Sequence, residues 1–236
     1  MSSLEELDEE ARGLLRRVLE SMGYRQRSAA NIRGHGLKLL PDVTSKQALL
    51  AELHAHLGAV ALAEELHGAA GGEDPYDRFR ERMERIPYPT TRMDLSACLA
   101  LTEKAEAALS RAYVESRVAP LADLAGRVVA AERPFTQGEL ERFVAFAQES
   151  DNRPRAQECF DRWLLLCLGA FGRPGTAGDA RAVSLGLRRV GVAEVVEGFL
   201  EDVDGLRTAA GLDWPRFAVG LELTAEAIQR MGLGTR

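Results

Sequence analysis

The sequence has little of what marks several protein classes. Aromatic residues make up 6% of its 236 positions, and its three cysteines, Cys98, Cys159 and Cys167, each stand alone among apolar neighbours. Isolated cysteines of this kind predict buried thiols in a reducing compartment and argue against a disulfide framework or a cysteine zinc site. No apolar run reaches the ~18 residues of a membrane span. Basic residues are not in excess, because the formal net charge is −6, so we predict no nucleic-acid surface.

The first residues, MSSLEELDEEARGLL, are acidic and lack the basic and apolar regions of a signal peptide. Together with the isolated cysteines, this segment predicts a cytoplasmic protein that does not associate with membranes. Ala, Leu, Glu and Arg are abundant, and these residue types favour helices. A hydrophobic content of 46% is enough for a sizeable core.

Apolar residues recur with a helical period, and capping residues divide the pattern into helices. Ser3 with Glu6 three residues later predicts the start of the first helix, which we expect to loosen at Gly23. Thr44 with Gln47 predicts the start of the second. The stretch AAGGEDPYD then predicts a loop that leads into a short charged helix, YDRFRERMERI.

Prolines interrupt the second half of the pattern. MDLSACLALTEKAEAALSRAYVESRVA is a strong helix that Pro120 kinks or restarts, and the pattern continues to Arg133. Pro134 breaks it, and Thr136 with Glu139 predicts a new helix start. RAQECFDRWLLLCLGAFG is the most apolar helix, and two shorter helices are expected at about 177–190 and 192–210.

No segment alternates with the two-residue period of a strand, so we predict an all-α helical bundle. Residues 1–236 are predicted to form a single domain. Its core spans about 5–171, and a helical C-terminal extension spans about 172–236.

Four segments follow one another along the chain: RSAANIRGHGLKLLPD, HLGAVALAEELHG, RIPYPTTRMDL and FDRWLLLCLGAFGRPGT. Together they resemble the ferritin-like proteins of the phenylacetyl-CoA epoxidase (phenylacetic acid catabolic) family over roughly residues 20 to 205. The resemblance implies a ferritin-like four-helix core. In the family's catalytic subunits it also implies a carboxylate-bridged di-iron centre that activates O2 on aromatic or related substrates. Those subunits usually work with noncatalytic relatives and a reductase.

A di-iron centre of this type uses about four carboxylates and two imidazoles, supplied by a lone Glu on each of two helices and a Glu-x-x-His pair on each of two others. The resemblance assigns six positions of this sequence to that set. In chain order they are Gln26, the pair Leu53 and His56, Glu103, and the pair Glu132 and Phe135.

Half of these positions carry a side chain that could bind iron: His56, Glu103 and Glu132. Pro134 also falls inside the last pair, where its ring and missing N–H disrupt a helix at a cost of ~3 kcal/mol. Glu52, four residues before His56, is a further candidate metal ligand. His56 is therefore either a ligand or a hydrogen-bonded core residue.

The neighbouring polar residues have plainer interpretations. His54 is expected to be exposed, and His67 is expected to act as a cation at a helix C-terminus. Glu132 is either a metal ligand or a solvated residue at a helix end. Glu103 lies near an apolar stripe, so it needs a partner such as His56, an arginine or a metal, or else a shifted pKa.

Two hypotheses about function follow. In the first, the chain is a ferritin-like relative of the epoxidase subunits with a degenerate di-iron site and no cofactor. It would act as a noncatalytic or ligand-binding partner of an oxygenase system. In the second, it is a variant oxygenase or hydroxylase, an oxidoreductase acting on aromatic or acyl-CoA-type substrates. Its site would then be one of two kinds. The first is an iron site with fewer ligands than the usual six, built from His56, Glu103 and Glu132, with or without Glu52. The second is a metal-free acid–base pair of His56 and Glu103.

The expected partners are a second copy of the chain, since Ala-rich helices of this kind often pair with copies of themselves, or a related ferritin-like subunit, which the resemblance implies. An aromatic or acyl-CoA-type small molecule is the expected ligand.

Overall fold

The computed structural model describes residues 4–74, 79 and 86–215, and within these residues it contains eight α-helices and no β-strand. The all-α prediction is confirmed for this part of the chain. The helices are α1 Glu9–Gly36, α2 Val43–Ala69, α3 Arg92–Val114, α4 Ala119–Ala130, α5 Pro134–Gln148, α6 Arg153–Ala170, α7 Ala177–Ser184 and α8 Val192–Ala210.

The first helix starts later than its sequence pattern predicts, and it does not loosen. Asp8 is its N-cap, with its carboxylate accepting from the Ala11 N–H at 2.8 Å, whereas Ser3 lies outside the described residues. Gly23 lies inside the regular helix, where an added Cβ would meet the Cβ of Ala63 on α2 at 3.7 Å, an ordinary van der Waals distance. α1 therefore continues through Gly23 without a break.

α1 and α2 form an antiparallel hairpin. Contacts that join early positions of α1 to late positions of α2 define its direction, such as Gly23 against Ala63, and Gly34 against Leu53. Asp42 caps α2, accepting from the Ser45 N–H at 2.7 Å, so this helix starts slightly before the predicted Thr44. The hairpin brings two long helices into register.

The predicted helix starts near the prolines are right in outline and wrong in detail. Pro120 and Pro134 lie in the first turns of α4 and α5, where the missing N–H is tolerated, so both restart a helix rather than kink one. The expected capping box of Thr136 and Glu139 does not form, because both side chains bond to other helices. The loop after Asp74 and the charged helix YDRFRERMERI fall outside the described residues, apart from Phe79 and Ile86.

Two apolar clusters fill the described interior. One gathers α3, α5, α6 and α8 around fully buried aromatic residues such as Phe143, Phe160, Trp163 and Phe199. The other gathers α1, α4 and α7 around smaller aliphatic residues, with contributions from α2. α3 packs against α4, α5, α6 and α8, so it is central in the bundle, and polar side chains meet where α1 and α2 approach it.

Candidate functional site

A cluster of buried polar side chains lies where α1, α2, α3 and α5 meet. Ionic side chains this far inside a bundle are costly unless they are paired. Its members are Gln26 and Arg33 of α1, Glu52 and His56 of α2, Glu103 of α3, Arg133 just before α5, and Thr136 of α5.

Helix geometry explains how pairs of these residues share a face. Gln26 and Arg33 are seven residues apart, or two turns, so both point the same way from α1. Glu52 and His56 are one turn apart on α2. Since α1 and α2 are antiparallel, the two faces meet.

Arg33 is the centre of the cluster, and its side chain is 1% exposed. Its Nη2 donates to Glu103 Oε2 at 2.8 Å and to Thr136 Oγ1 at 3.3 Å, and its Nε lies 3.5 Å from Glu52 Oε2. One guanidinium therefore lies between two carboxylates from different helices and supplies the positive charge that buried carboxylates require.

Glu52 also caps α5 from a distance in sequence. The Thr136 N–H donates to Glu52 Oε1 at 3.0 Å, and the Thr136 hydroxyl donates to Oε2 at 2.6 Å. A carboxylate is favoured here, because the first N–H groups of a helix lack partners and its N-terminus carries partial positive charge. α5 has no cap of its own, since its N-cap residue Arg133 makes no capping bond.

His56 is fully buried and neutral. Its Nδ1 lies 2.7 Å from Gln26 Oε1, so Nδ1–H donates to the amide oxygen. Burial, and then the charges of Arg33 and Arg133, lower the pKa of His56 to about 2. Its other ring nitrogen, Nε2, is 3.7 Å from Glu103 Oε2 and makes no hydrogen bond within the described residues. The predicted burial of His56 is confirmed.

Glu103 is the most accessible member of the cluster, with 20% of its side chain exposed. Burial raises its pKa above the ordinary value, and the charges of Arg33 and Arg133 oppose this effect without cancelling it. Arg133 contributes through its Nε, 3.3 Å from Glu103 Oε1. The ion-pair partners of Glu103 are thus two arginines, and an arginine is one of the partners expected from the sequence.

The structure brings three of the four predicted metal or catalytic residues together, namely Glu52, His56 and Glu103, and leaves out Glu132. The Glu132 side chain is exposed in the short segment between α4 and α5. Its neighbour Arg133 is the residue that turns inward.

The donor set does not fit an iron site. Both oxygens of Glu52 accept hydrogen bonds from Thr136, and Glu103 faces two guanidinium groups rather than free space. A cation bound here would lie against the positive charge of Arg33. Within residues 4–74, 79 and 86–215, no group of three or more His, Cys, Asp or Glu side chains is arranged to hold a metal ion.

The remaining histidines and cysteines have structural roles or are exposed. His54 is exposed as predicted, while His67 is buried in the last turn of α2 with its Nε2 3.1 Å from Glu20 Oε1. The cysteines are buried free thiols, and burial raises the pKa of Cys167 to about 12. They carry no reactive thiolate.

Sequence reasoning missed Arg33, Arg133 and the partner role of Thr136. The two-turn spacing from Gln26 to Arg33 was a usable signal, because it places a cation on the face that carries a predicted ligand position. No local signal links Thr136 to Glu52, which is 84 residues away.

Comparison of the sequence with protein-family models matches no family, and comparison with curated proteins finds no match. In the part of the chain that the structure describes, no helix combines the length and the apolar character needed to cross a membrane.

Proposed function

We propose that this protein is a ferritin-like relative of the phenylacetyl-CoA epoxidase subunits in which an arginine-centred ion-pair cluster has replaced the di-iron centre. It acts as a noncatalytic, ligand-binding partner of an oxygenase system. The observation that carries the proposal is the Arg33 guanidinium between Glu52 and Glu103. A di-iron centre balances buried carboxylates with metal charge, and here a side chain supplies that charge.

The register of the resemblance supports the same proposal. Gln26, His56 and Glu103 fall at three positions where the resemblance places ligands, and all three lie in one buried cluster. Two of them have lost ligand capacity: Gln26 has an amide in place of a carboxylate, and Glu103 is engaged by Arg33 and Arg133. A guanidinium has no redox chemistry, so a cluster built on it favours a structural role.

Metal analysis tests this proposal directly. Protein purified from cells grown with ample iron is expected to contain far less than one iron per chain. Arg33→Met and Arg25→Met form a matched pair for the same measurement, since both are arginines of α1 that pair with a glutamate of α3, and only Arg33 lies in the cluster. Two tightly bound irons per wild-type chain would contradict the proposal.

A second candidate is favoured by one observation, the 3.7 Å approach of His56 Nε2 to Glu103 Oε2. In that function the two residues form a metal-free acid–base pair. The adjacent arginines oppose it, because they disfavour the protonated histidine. Substrate turnover that persists with a chelator and is lost in both His56→Gln and Glu103→Gln would establish this candidate over the first.

We also propose that a second copy of the chain covers the outer face of α2. Val43, Leu50 and Leu57 are exposed by 69%, 45% and 46% and are spaced by seven residues, so they form one stripe. An antiparallel pairing of two α2 helices about Leu50 packs Val43 against the partner's Leu57 and opposes the two helix dipoles, which favours self-association.

Light scattering after size exclusion measures this association. The wild type is expected to be a dimer, and Leu57→Glu to be a monomer. Val129→Glu, which changes an exposed valine of α4, is the matched control and should remain dimeric. A monomeric wild type, or a Leu57→Glu variant that stays dimeric, would show that this face is not the interface.

A further inference from the structure

A cavity of about 660 Å³ lies between α1, α3 and α6, and it combines an arginine-bearing end with apolar walls. We propose that it binds a carboxylate carried on an aliphatic chain, which is the chemistry of a fatty acid. This inference rests on the ligand-binding part of the proposed function and names the class of ligand. The volume falls within the range of roughly 300–1,000 Å³ that is typical of small-molecule sites.

Three side chains of α1 define the polar end of the cavity. Arg17, Ser21 and Arg25 follow one another at intervals of four residues, so they lie on one face of the helix. The Arg25 guanidinium reaches back along this face, because its Nη1 donates to Ser21 Oγ at 2.8 Å. Arg17 and Ser21 are exposed, so this end of the cavity is open to solvent.

The same three residues keep donors that no described residue uses. Arg17 has no hydrogen-bond or ion-pair partner among the described residues. Arg25 Nη2 is buried without a hydrogen bond in the described part of the chain, and the Ser21 hydroxyl, which accepts from Arg25, donates to no described group. A carboxylate can accept from a guanidinium and from a hydroxyl, and charge-assisted bonds of this kind are the stronger ones. This end of the cavity therefore favours an anionic head group.

The two glutamates in the lining already have partners. Glu106 Oε2 accepts from Arg25 Nε at 2.9 Å, and its Oε1 accepts from the Ser110 hydroxyl at 3.1 Å. Glu20 Oε1 lies 3.1 Å from His67 Nε2. These carboxylates leave the arginines with donors to spare, but their charges remain close by. A head group with a single negative charge is therefore favoured over one with several.

The rest of the lining suits a hydrocarbon chain. Tyr24 and Phe79 pack against each other, with ring centroids 5.4 Å apart, so these rings already form an aromatic pair. Five branched aliphatic side chains supply most of the remaining apolar surface: Ile32, Ile86, Leu109, Leu165 and Leu166. A flexible chain can follow such a mixed wall, and its burial supplies the hydrophobic part of the affinity.

The two hydroxyl groups beside the apolar walls do not oppose a chain. Ser28 Oγ donates to the Tyr24 carbonyl at 2.7 Å, and Thr102 Oγ1 donates to the Cys98 carbonyl at 2.7 Å. Each proton is bonded within its own helix, so a hydrocarbon placed beside these residues leaves no donor unsatisfied.

Three probes that share one eight-carbon chain test the head group: octanoate, 1-octanol and octylammonium. Calorimetry or ligand-observed NMR at neutral pH is expected to rank octanoate tightest, with octanol about fivefold weaker and octylammonium weaker still. Octanoate is better hydrated than octanol, so a preference for it must come from donors in the site. Either of the other probes as the tightest ligand, or no binding by any probe, would overturn the inference.

Two substitutions that change charge place the carboxylate. Arg17→Gln should weaken octanoate binding about three- to fivefold and leave octanol binding unchanged. Arg16→Gln, a change of the same kind one residue away and outside the lining, is the control and should preserve both affinities. Unchanged octanoate binding in Arg17→Gln, or an equal loss in Arg16→Gln, would overturn the inference.

Glu106→Gln should have the opposite effect. It removes a negative charge from the lining and frees the Arg25 Nε–H, so octanoate should bind about threefold more tightly while octanol is unaffected. A gain of affinity is not what a misfolded variant produces. Weaker octanoate binding in folded Glu106→Gln would contradict the proposed carboxylate site.

Substitutions that fill the cavity locate the chain. Ala29→Phe obstructs the cavity from α1, and Ala145→Phe makes the same change at an exposed position of α5. The first should lower octanoate affinity about tenfold or more, and the second should not change it. Leu165→Trp provides the same obstruction from α6 if Ala29→Phe does not fold. Undiminished binding in a folded cavity-filling variant would show that the site lies elsewhere.

Metal content measured on the same samples keeps this inference and the proposed function apart. Tightly bound iron contradicts the proposed function whatever the probes do. Iron-free protein that binds none of the three probes contradicts only this inference.

Discussion

Two carboxylates of α3, Asp94 and Glu103, are both held inside the protein, yet their pKa values shift in opposite directions. Burial raises the pKa of each, but at Asp94 hydrogen bonds from Arg162, Trp163 and the Thr90 N–H outweigh burial and lower it. At Glu103 burial prevails over nearby arginines. The number of well-directed donors, rather than the number of nearby cations, separates the two sites.

The difference separates a structural site from a candidate functional one. Asp94 ties the start of α3 to α6 through Trp163, next to an aromatic core. Glu103 is less completely satisfied, partly exposed, and close to buried nitrogen atoms that make no hydrogen bond within the described residues, such as His56 Nε2 and Arg133 Nε. Such incompletely paired groups are more typical of functional sites than of cores.

The largest loss of stability is expected in the cluster that contains Glu103. Arg33→Met leaves Glu52 and Glu103 buried without their shared cation, which should lower the free energy of unfolding by about 3–5 kcal/mol. Adding Glu103→Gln should restore part of this loss, because the second change removes an unpaired charge. Denaturant unfolding of the two single variants and the double variant measures the coupling. Strictly additive losses would show that Arg33 and Glu103 do not act as a pair.

At the Asp94 side, Trp163→Phe removes the indole N–H that donates to Asp94 Oδ1 at 2.7 Å and leaves a small void. We expect a loss of about 2–3 kcal/mol. Thermal or chemical unfolding measures it, and Phe199→Leu, a substitution in the same core without a hydrogen bond, is the reference. If the variant matched wild-type stability, Asp94 would not depend on the indole.

Thr136→Val removes the hydroxyl that joins Glu52 to α5 while it keeps the side-chain volume. The expected loss is about 1–2 kcal/mol, since the backbone N–H still caps through Glu52. Thr136→Ser retains the hydroxyl and should remain close to wild type. Equal losses in the two variants would point to packing rather than to hydrogen bonding.

The last effect is spread over several pH units and comes from the titration of His56. Its pKa is about 2 in the folded protein, below the ordinary 6.5, so the unfolded chain binds the extra proton between these values. Stability from this group is complete above pH 6.5 and falls as the pH drops below it, by up to about 1.4 kcal/mol per pH unit. The raised pKa of Glu103 acts in the opposite sense.

The free energy of unfolding, measured across this pH range in the wild type and in His56→Gln, isolates the contribution of His56. The variant should lose less stability on acidification than the wild type does. His54→Gln, two residues away on the exposed side of α2, should follow the wild type. Parallel curves for wild type and His56→Gln would contradict a neutral buried His56.

The parts of the fold and site that depend on local chemistry could be predicted from the sequence. Prolines marked the starts of α4 and α5, helical periodicity placed His56 inside, and the stripe on α3 indicated that Glu103 would need a partner. Contacts between distant segments could not be predicted. The choice of Arg33 as the partner of Glu103 depends on how the α1–α2 hairpin docks on α3.

Gly23 and Glu132 are positions where the local sequence pattern predicts the wrong structural role. A glycine weakens an isolated helix, but α1 continues through Gly23, which is buried beside Ala63 of α2, a neighbour that no local pattern reveals. Glu132 occupies a ligand position by resemblance, yet the break before Pro134 exposes it and turns Arg133 inward. One residue of register at a helix break decides which side chain faces the interior.

The cap that Glu52 provides for α5 also has a kinetic consequence. With no capping bond from Arg133, the first turn of α5 gains its stabilising partner only when α2 has arrived beside it. A helix that depends on a contact 84 residues away cannot nucleate there early, because the loop must close first. The start of α5 is therefore expected to order late in folding, so that Thr136→Val speeds unfolding far more than it slows folding.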